Sequence, residues 1–192
     1  YAAFCLLNSD VEVVDPRWLE TLKRHAFSDP TIGVVGPLSN AASYQSVPAL
    51  RVQTGKESED WSKNELPPGP ADDPWTPRGV AAAVARGSRR RLVDVPVLNG
   101  FCLFVKAEVV EAVGLMDEVA FPHGFGEEND FALRALAAGY SLKVADDVYV
   151  WHHKSKSYGD ATRQALSAGS AEAMRERWGS MLRHAVGLLE TN

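Results

Sequence analysis

Three groups of side chains in this sequence have types and spacings suited to chemistry. Asn8 and Asp10 close a short apolar run, Phe4 to Leu7, which reads as a strand buried on both faces. A separation of two puts both side chains on one face of an extended chain. In α/β sheets ligands bind outside the carboxyl ends of strands. A carboxylate there suits a hard divalent cation, which takes oxygen ligands and bridges phosphates. An Asp at a strand-to-loop junction is also an ordinary turn residue. Glu127, Glu128 and Asp130 follow the glycine-rich turn Gly124-Phe125-Gly126. Acidic side chains are favoured at the positive end of a helix dipole. The functional alternative is a general base, available if burial and like charges raise a carboxyl's pKa toward neutrality. His152 and His153 close the apolar run Val148 to Trp151, either as a polar edge or as metal ligands. Ser155, Lys156 and Ser157 come next and offer donors to phosphate oxygens. Asn99-Gly100 interrupts an apolar stretch, as a bulge or as a close backbone approach.

The elements that must position these residues alternate in type. Phe4 to Leu7 reads as a strand, and Pro16 suits the first turn of a helix with Asp15 as its N-cap. Trp18, Leu19 and Leu22 give that helix an apolar face, and Ser28-Asp29-Pro30 stops it. Ile32 to Val35 is a second strand. From Leu38 to about Arg78 the periodicity fails amid prolines, which predicts a long loop or insertion of the kind that serves as a lid. Trp61 and Trp75 within it either offer flat ring faces to a ligand or bury the loop against the body. A helix is expected between Gly79 and Arg91. Val95 to Val105 reads as a strand broken at Asn99-Gly100, and helices follow from Ala107 to Val113 and from Glu127 to Ala138. Leu142 to Val144 and Val148 to Trp151 read as two further strands. A helical tail, 160–190, carries Leu166, Ala173 and Trp178, and covers either the sheet or a partner copy in a homo-oligomer. Strands alternating with helices predict an α/β class with a mixed sheet, in one domain over 1–192.

Composition narrows the function classes. Apolar residues make up 45% and charged residues 23% of 192, the balance of a globular domain rather than a disordered or disulfide-dense chain. The formal net charge is −5, whereas a nucleic-acid binder shows a basic balance, so no nucleic-acid partner is expected. Arg86, Arg89, Arg90 and Arg91 form a compact basic run, read either as a solvated loop or as a contact for phosphate or an anionic membrane surface. Cys5 and Cys102 sit in apolar stretches as buried small hydrophobes, which fits a reducing compartment. No apolar run approaches the roughly 20 residues that cross a bilayer. The expected location is cytoplasmic, with room for peripheral contact at the inner membrane face.

Taken in order, these motifs resemble the inverting nucleotide-sugar glycosyltransferases of family 2, which have the GT-A fold. Leu7-Asn8-Ser9-Asp10 resembles the family's Asp-x-Asp motif. Gly126-Glu127-Glu128-Asn129-Asp130-Phe131, with Arg134, Ala138 and Gly139, resembles its Glu-Asp-x-Asp-Leu-x-x-Arg motif. Val148-Tyr149-Val150-Trp151-His152, with Ser155 and Ser157, resembles its late His-containing loop, and Pro96-Val97-Leu98-Asn99-Gly100 the strand before the acceptor region. The resemblance runs from Tyr1 to about Trp178. It implies that Asp10 and His152 bind Mg²⁺ or Mn²⁺ on the donor diphosphate, and that Glu128 deprotonates the acceptor hydroxyl. It implies that Glu127 and Asp130 orient that base or bind the acceptor. Asn8, Asn99, Gly100, Ser155 and Ser157 would contact donor or acceptor. A UDP- or dTDP-sugar donor, a glycan or lipid-linked acceptor and a role in bacterial polysaccharide biosynthesis are the implied partners and setting.

The sequence departs from the family pattern at three points. Asn8 stands where the first motif Asp belongs, and Glu128 stands where the base is usually Asp, with Glu127 an alternative base. The family's nucleotide-binding half, expected ahead of the first motif, is absent before Tyr1, so the expectation is the C-terminal portion of a longer transferase. Two other readings stay open: a binding or scaffold module that kept the fold without the donor site, and a metal-dependent hydrolase using Asp10, Glu128 and His152.

Overall fold

The computed structural model describes residues 1–49, 51–53, 59–61, 64–122, 124, 126–153, 169–181 and 183. In chain order these form β1 (Ala3–Leu7), β2 (Val11–Glu12), α1 (Trp18–Ala26), β3 (Ile32–Leu38), a 3₁₀ turn (Ser43–Gln45), β4 (Arg51–Gln53) and β5 (Glu59–Trp61). There follow α2 (Pro77–Gly87), β6 (Leu92–Asp94), β7 (Cys102–Lys106), α3 (Ala107–Val113), α4 (Glu127–Ala137), β8 (Ser141–Tyr149) and β9 (Trp151–His152). A last helix occupies 169–181.

A five-stranded sheet in the order β1-β7-β3-β8-β6 organises the domain. β3 and β8 pair in parallel, while β7 runs antiparallel to both β1 and β3, and β6 antiparallel to β8. β1, β3 and β8 therefore point the same way, and the fold is α/β with a mixed sheet flanked by helices. β3 and β7 are apolar at successive positions because both sheet faces are covered. Val35, Cys102 and Phe104 face Leu22 and Ala26 of α1. Their neighbours Val34, Leu103 and Val105 face Val109 of α3 and Phe131, Ala132 and Ala135 of α4. The period of two along each strand thus assigns alternate residues to two separate core layers. Burying a side chain such as Phe131 stabilises the fold by about 1.5–3 kcal/mol.

Polar ties fix the helices. The carboxylate of Asp147 lies 2.7 Å from Nε2 of His25, with both side chains more than nine-tenths buried, which pins α1 to β8. The buried Lys106 ammonium donates to the carbonyls of Asp29 (3.1 Å) and Pro30 (3.3 Å) below α1. Thr76 caps α2, its hydroxyl accepting from the Gly79 amide at 3.0 Å, and Pro77 takes the first helical position, where a missing amide costs nothing.

The structure corrects several expected boundaries. β1 is an edge strand rather than a strand buried on both faces, and Phe4, Leu6 and Leu7 are each more than two-fifths exposed. An apolar run does not specify how many neighbours a strand has. The break at Asn99-Gly100 is wider than expected: 95–101 is irregular, and the strands lie on either side of it as β6 and β7. The two strands expected near the end are one bulged strand, β8, followed by β9. α1 begins at Trp18 with Arg17 as its N-cap, and Asp15 instead accepts from the Arg17 amide at 2.9 Å. Segment 38–78 is not structureless. Asn40, Ala41, Ala42 and Gln45 are buried in it, and it holds the 3₁₀ turn and the β4–β5 pair. Its Asn40, Tyr44 and Gln45 side chains bond backbone far along the chain instead of repeating with a helical or strand period, so periodicity misses it.

Candidate active site

The carboxyl ends of β1, β3 and β8 and the start of β7 meet at one end of the sheet, and there a turn at Asn99–Phe101 gathers most of the predicted residues. Asn8 follows β1 directly, and its amide donates to the Phe101 carbonyl at 3.0 Å. Two residues on, Asp10 meets His152 because the β2–β9 ribbon pairs Val11 with His152. The Asp10 carbonyl accepts from the His153 amide at 2.8 Å, which locks that register. The Phe101 ring lies nearly parallel to the His152 imidazole, 15° between planes and 5.4 Å between centroids.

His152 is held on several sides. Asn40, just past β3, accepts from the His152 amide (2.7 Å) and donates to the His152 carbonyl (3.0 Å). Its Nδ1 is 3.1 Å from the Ala41 carbonyl, an oxygen that only accepts, so Nδ1 carries the proton. Nε2 then faces Oδ1 of Asp10 at 3.3 Å. A neutral imidazole in this tautomer turns its Nε2 lone pair, the one with which it would ligate a metal, toward the carboxylate. Adjacent ligands of one Mg²⁺ stand about 3 Å apart, given metal–oxygen distances of roughly 2.1 Å at right angles. The observed spacing fits two ligands of one divalent ion, the carboxylate suits Mg²⁺ or Mn²⁺, and the backbone bond at Nδ1 is the usual way to orient a ligating histidine. Two protein donors leave the remaining positions to other ligands. Among the described residues, no group of three or more His, Cys, Asp or Glu is placed to hold a metal alone.

Glu128 lies on the other side of the turn, in the first turn of α4. A Cβ at Gly100 would stand 3.2 Å from the Cβ of Glu128 and 3.3 Å from its Cγ. A side chain at position 100 would press on the glutamate, and the glycine lets Glu128 lie against the backbone without that contact. Burial, then the neighbouring Glu127 charge, pushes the Glu128 carboxyl up to about 7. Tyr44 shares this environment: burial first, then the charge of Glu128, raises its phenol far above the ordinary value. Its hydroxyl donates to the Val97 carbonyl. Beside it the fully buried Gln45 accepts from the Asn99 amide at 2.7 Å and donates to the Pro37 carbonyl at 2.7 Å. The 3₁₀ turn thus braces the 97–100 segment from beneath.

The other predicted residues have different placements. Glu127 turns back onto the glycine-rich turn, where Oε2 accepts from the Gly126 amide at 3.0 Å. Asp130 is fully buried and faces the last helix, accepting from Arg134 Nε (2.8 Å), Arg177 Nη1 (2.9 Å) and Trp178 Nε1 (2.8 Å). Burial alone would raise its carboxyl, but the bonds from Trp178, Arg177 and Arg134 hold it below the usual value. Ser155 and Ser157 lie outside the described residues. Sequence reasoning missed Asn40, Tyr44 and Gln45. Asn40 carried a usable signal, since it follows β3 much as Asn8 follows β1. Tyr44 and Gln45 had none, being embedded in an aperiodic stretch.

Fold and site together define an α/β domain with a carboxylate–imidazole pair and a near-neutral glutamic acid around one turn at the ends of its parallel strands. No protein-family model matches the chain. It is 28% identical over 158 residues to the O-antigen biosynthesis protein RfbC of Myxococcus xanthus, a match that covers 79% of this chain and 11% of that protein. It is 31% identical over 105 residues to an uncharacterized protein of Mycobacterium bovis and to one of Mycobacterium tuberculosis, covering 54% of this chain and 37% of each. The chain spans well under half the length of these curated relatives.

Proposed function

We propose that this chain forms the metal- and acceptor-side part of an inverting glycosyltransferase of the GT-A kind, acting in polysaccharide assembly. The observation that carries the proposal is the convergence of Asp10, His152 and a near-neutral Glu128 on the Asn99–Phe101 turn. Glu128 takes the proton from an acceptor hydroxyl, and the freed oxygen attacks the anomeric carbon of a UDP- or dTDP-sugar. The bond from that carbon to the diphosphate oxygen breaks on the opposite face, so configuration inverts. Asp10 and His152 would hold Mg²⁺ or Mn²⁺, which would supply positive charge beside the diphosphate of the donor. Asn99 and Gly100 shape the floor on which the acceptor lies, and Gly100 sets the depth of Glu128. Asn8, Ser155 and Ser157 are assigned to donor or acceptor contacts, and Glu127 shares its charge environment with the base. A relative bearing an O-antigen biosynthesis name supports an acceptor among surface glycans or their lipid-linked precursors. Such work belongs at the inner membrane face, and among the described residues no helix is long and apolar enough to cross a membrane.

Titration of UDP into the protein with and without Mn²⁺ tests the metal assignment. Metal-dependent binding that weakens at least about tenfold in Asp10→Ala is expected, the effect of losing a bond worth about 1.4 kcal/mol or more. Equal binding in the variant removes Asp10 from the site. One observation favours a second reading, a glycan-binding module without turnover: Asn8 offers no charge where the family motif has a carboxylate. That module would bind sugar without releasing a nucleoside diphosphate.

A further inference from the structure

A cavity of about 270 Å³ lies between the segment leading into α1 and one face of α2, lined by none of the residues assigned above. Arg17 contributes from the first element, and Arg78, Ala82, Ala85 and Arg86 from the second. On α2, positions 78, 82, 85 and 86 recur at helical spacing and share a face. Arg78 and Arg86 are eight residues apart, about 12 Å along the axis. Alanines lie between them on that face, so Arg17, Arg78 and Arg86 line the hollow with small side chains at its floor.

Charge in the trough is unbalanced. Asp15 is the carboxylate of the lining, and it pairs with Arg17 at 3.3 Å. Among the described residues, neither Arg78 nor Arg86 makes an ion pair. This concentration of cations occurs in a chain whose net charge is −5, and Arg89, Arg90 and Arg91 follow within a few residues of the end of α2. A guanidinium presents a planar fork that matches two oxygens of a phosphoryl group, and several forks around one hollow suit a group with more than one negative charge. The volume falls just below the range of roughly 300–1,000 Å³ that encloses drug-sized ligands. A phosphoryl head therefore fits better than a whole nucleotide.

We propose that this arginine-lined trough binds a phosphoryl anion, presented either by a free diphosphate or by an anionic phospholipid headgroup. The proposal stands apart from the glycosyl-transfer site and does not depend on it. Two probes test it, both in EDTA so that a metal site contributes nothing. Inorganic pyrophosphate is titrated calorimetrically, and sedimentation is measured with phosphatidylcholine vesicles with and without phosphatidylglycerol. The protein should bind pyrophosphate or the anionic vesicles, less tightly as salt rises. Arg78→Gln/Arg86→Gln should bind at least about tenfold more weakly, since two charge-assisted bonds to the anion are lost. Ala82→Glu, which keeps every arginine but places a carboxylate on the floor, should lose binding too and guards against a misfolded double variant. Pyrophosphate binding without vesicle binding assigns the site to a soluble phosphate, and vesicle binding lost in both variants assigns it to a membrane surface. Binding of neither probe by the unaltered protein, or equal binding by all three proteins, overturns the proposal.

Discussion

Glu128 carries a carboxyl in surroundings that oppose its charge. Its carboxyl is held near 7, well above the unfolded value, so the native state takes up its proton more readily than the unfolded chain does. For such a group the stabilising contribution is complete below the unfolded pKa and is lost as pH rises through about 7. Glu128→Gln should therefore leave thermal stability unchanged near pH 4 and raise it at pH 8. One pKa unit corresponds to about 1.4 kcal/mol, and each kcal/mol moves the melting temperature of a chain this size by roughly 2–4 °C. Melting curves at both pH values check this, and a variant less stable at pH 8 would mean that the carboxylate is satisfied rather than strained. Gly100→Ala probes the same contact from the other side. The added methyl meets the Glu128 side chain at 3.2 Å, so turnover should fall more than about tenfold while the melting temperature drops by a few degrees at most. Equal losses of fold and activity would assign Gly100 to packing alone. The residue types at this site were legible in the sequence, because a carboxylate after a glycine-rich turn and a strand-end Asp are local patterns. The difference in surroundings between Glu127, Glu128 and Asp130 was not, since it depends on what each meets across the fold.

Two elements decide how well the site is held. The last helix is tied to α4 by the buried Asp130 carboxylate through Arg177 and Trp178, with Arg177 also reaching Asp117 at 2.9 Å. Asp130→Ala leaves Arg134 and Arg177 facing an empty place, a change that costs about 3–5 kcal/mol where a buried pair is broken. Limited proteolysis should then cut within 169–181 before the sheet, and a pattern identical to the unaltered protein would contradict the anchoring role. The segment after β3 is the second such element. Asn40→Ala removes both side-chain bonds to the His152 backbone, and Mn²⁺ affinity should fall by about 10–100-fold, as it does when a ligating histidine loses its orienting partners. Unchanged affinity would separate His152 from the metal. Helix starts such as Thr76-Pro77 were readable because caps are local signals. The role of 38–46 was not, because its asparagine, tyrosine and glutamine act through long-range bonds to backbone that no periodicity encodes.

At the level of the molecule, the alternation of strands and helices was enough to predict an α/β mixed sheet, while the covering of β3 and β7 on both faces emerges only from the packing. The apolar run at β1 misled: among the described residues β1 has a neighbour on one side, and it exposes Phe4, Leu6 and Leu7. Apolarity reports that a surface is to be covered, not which element covers it. Order across the sheet was likewise hidden, since β7 inserts between β1 and β3 through a connection of more than sixty residues. That crossing brings the 99–101 turn to the ends of the parallel strands and makes one site of motifs more than a hundred residues apart.

The most direct measurement is the pH dependence of nucleoside diphosphate release from a panel of UDP- and dTDP-sugars, with Mn²⁺ and a glycan or lipid-linked acceptor, in the full-length protein. A base with a pKa of about 7 must lose its proton to act, so release should climb as pH rises through that value. In Glu128→Gln the rate should fall by about 10²–10⁴-fold and the climb should vanish. Acceptor-dependent release that keeps its rate and its pH profile in Glu128→Gln would contradict the assignment of Glu128 as the base.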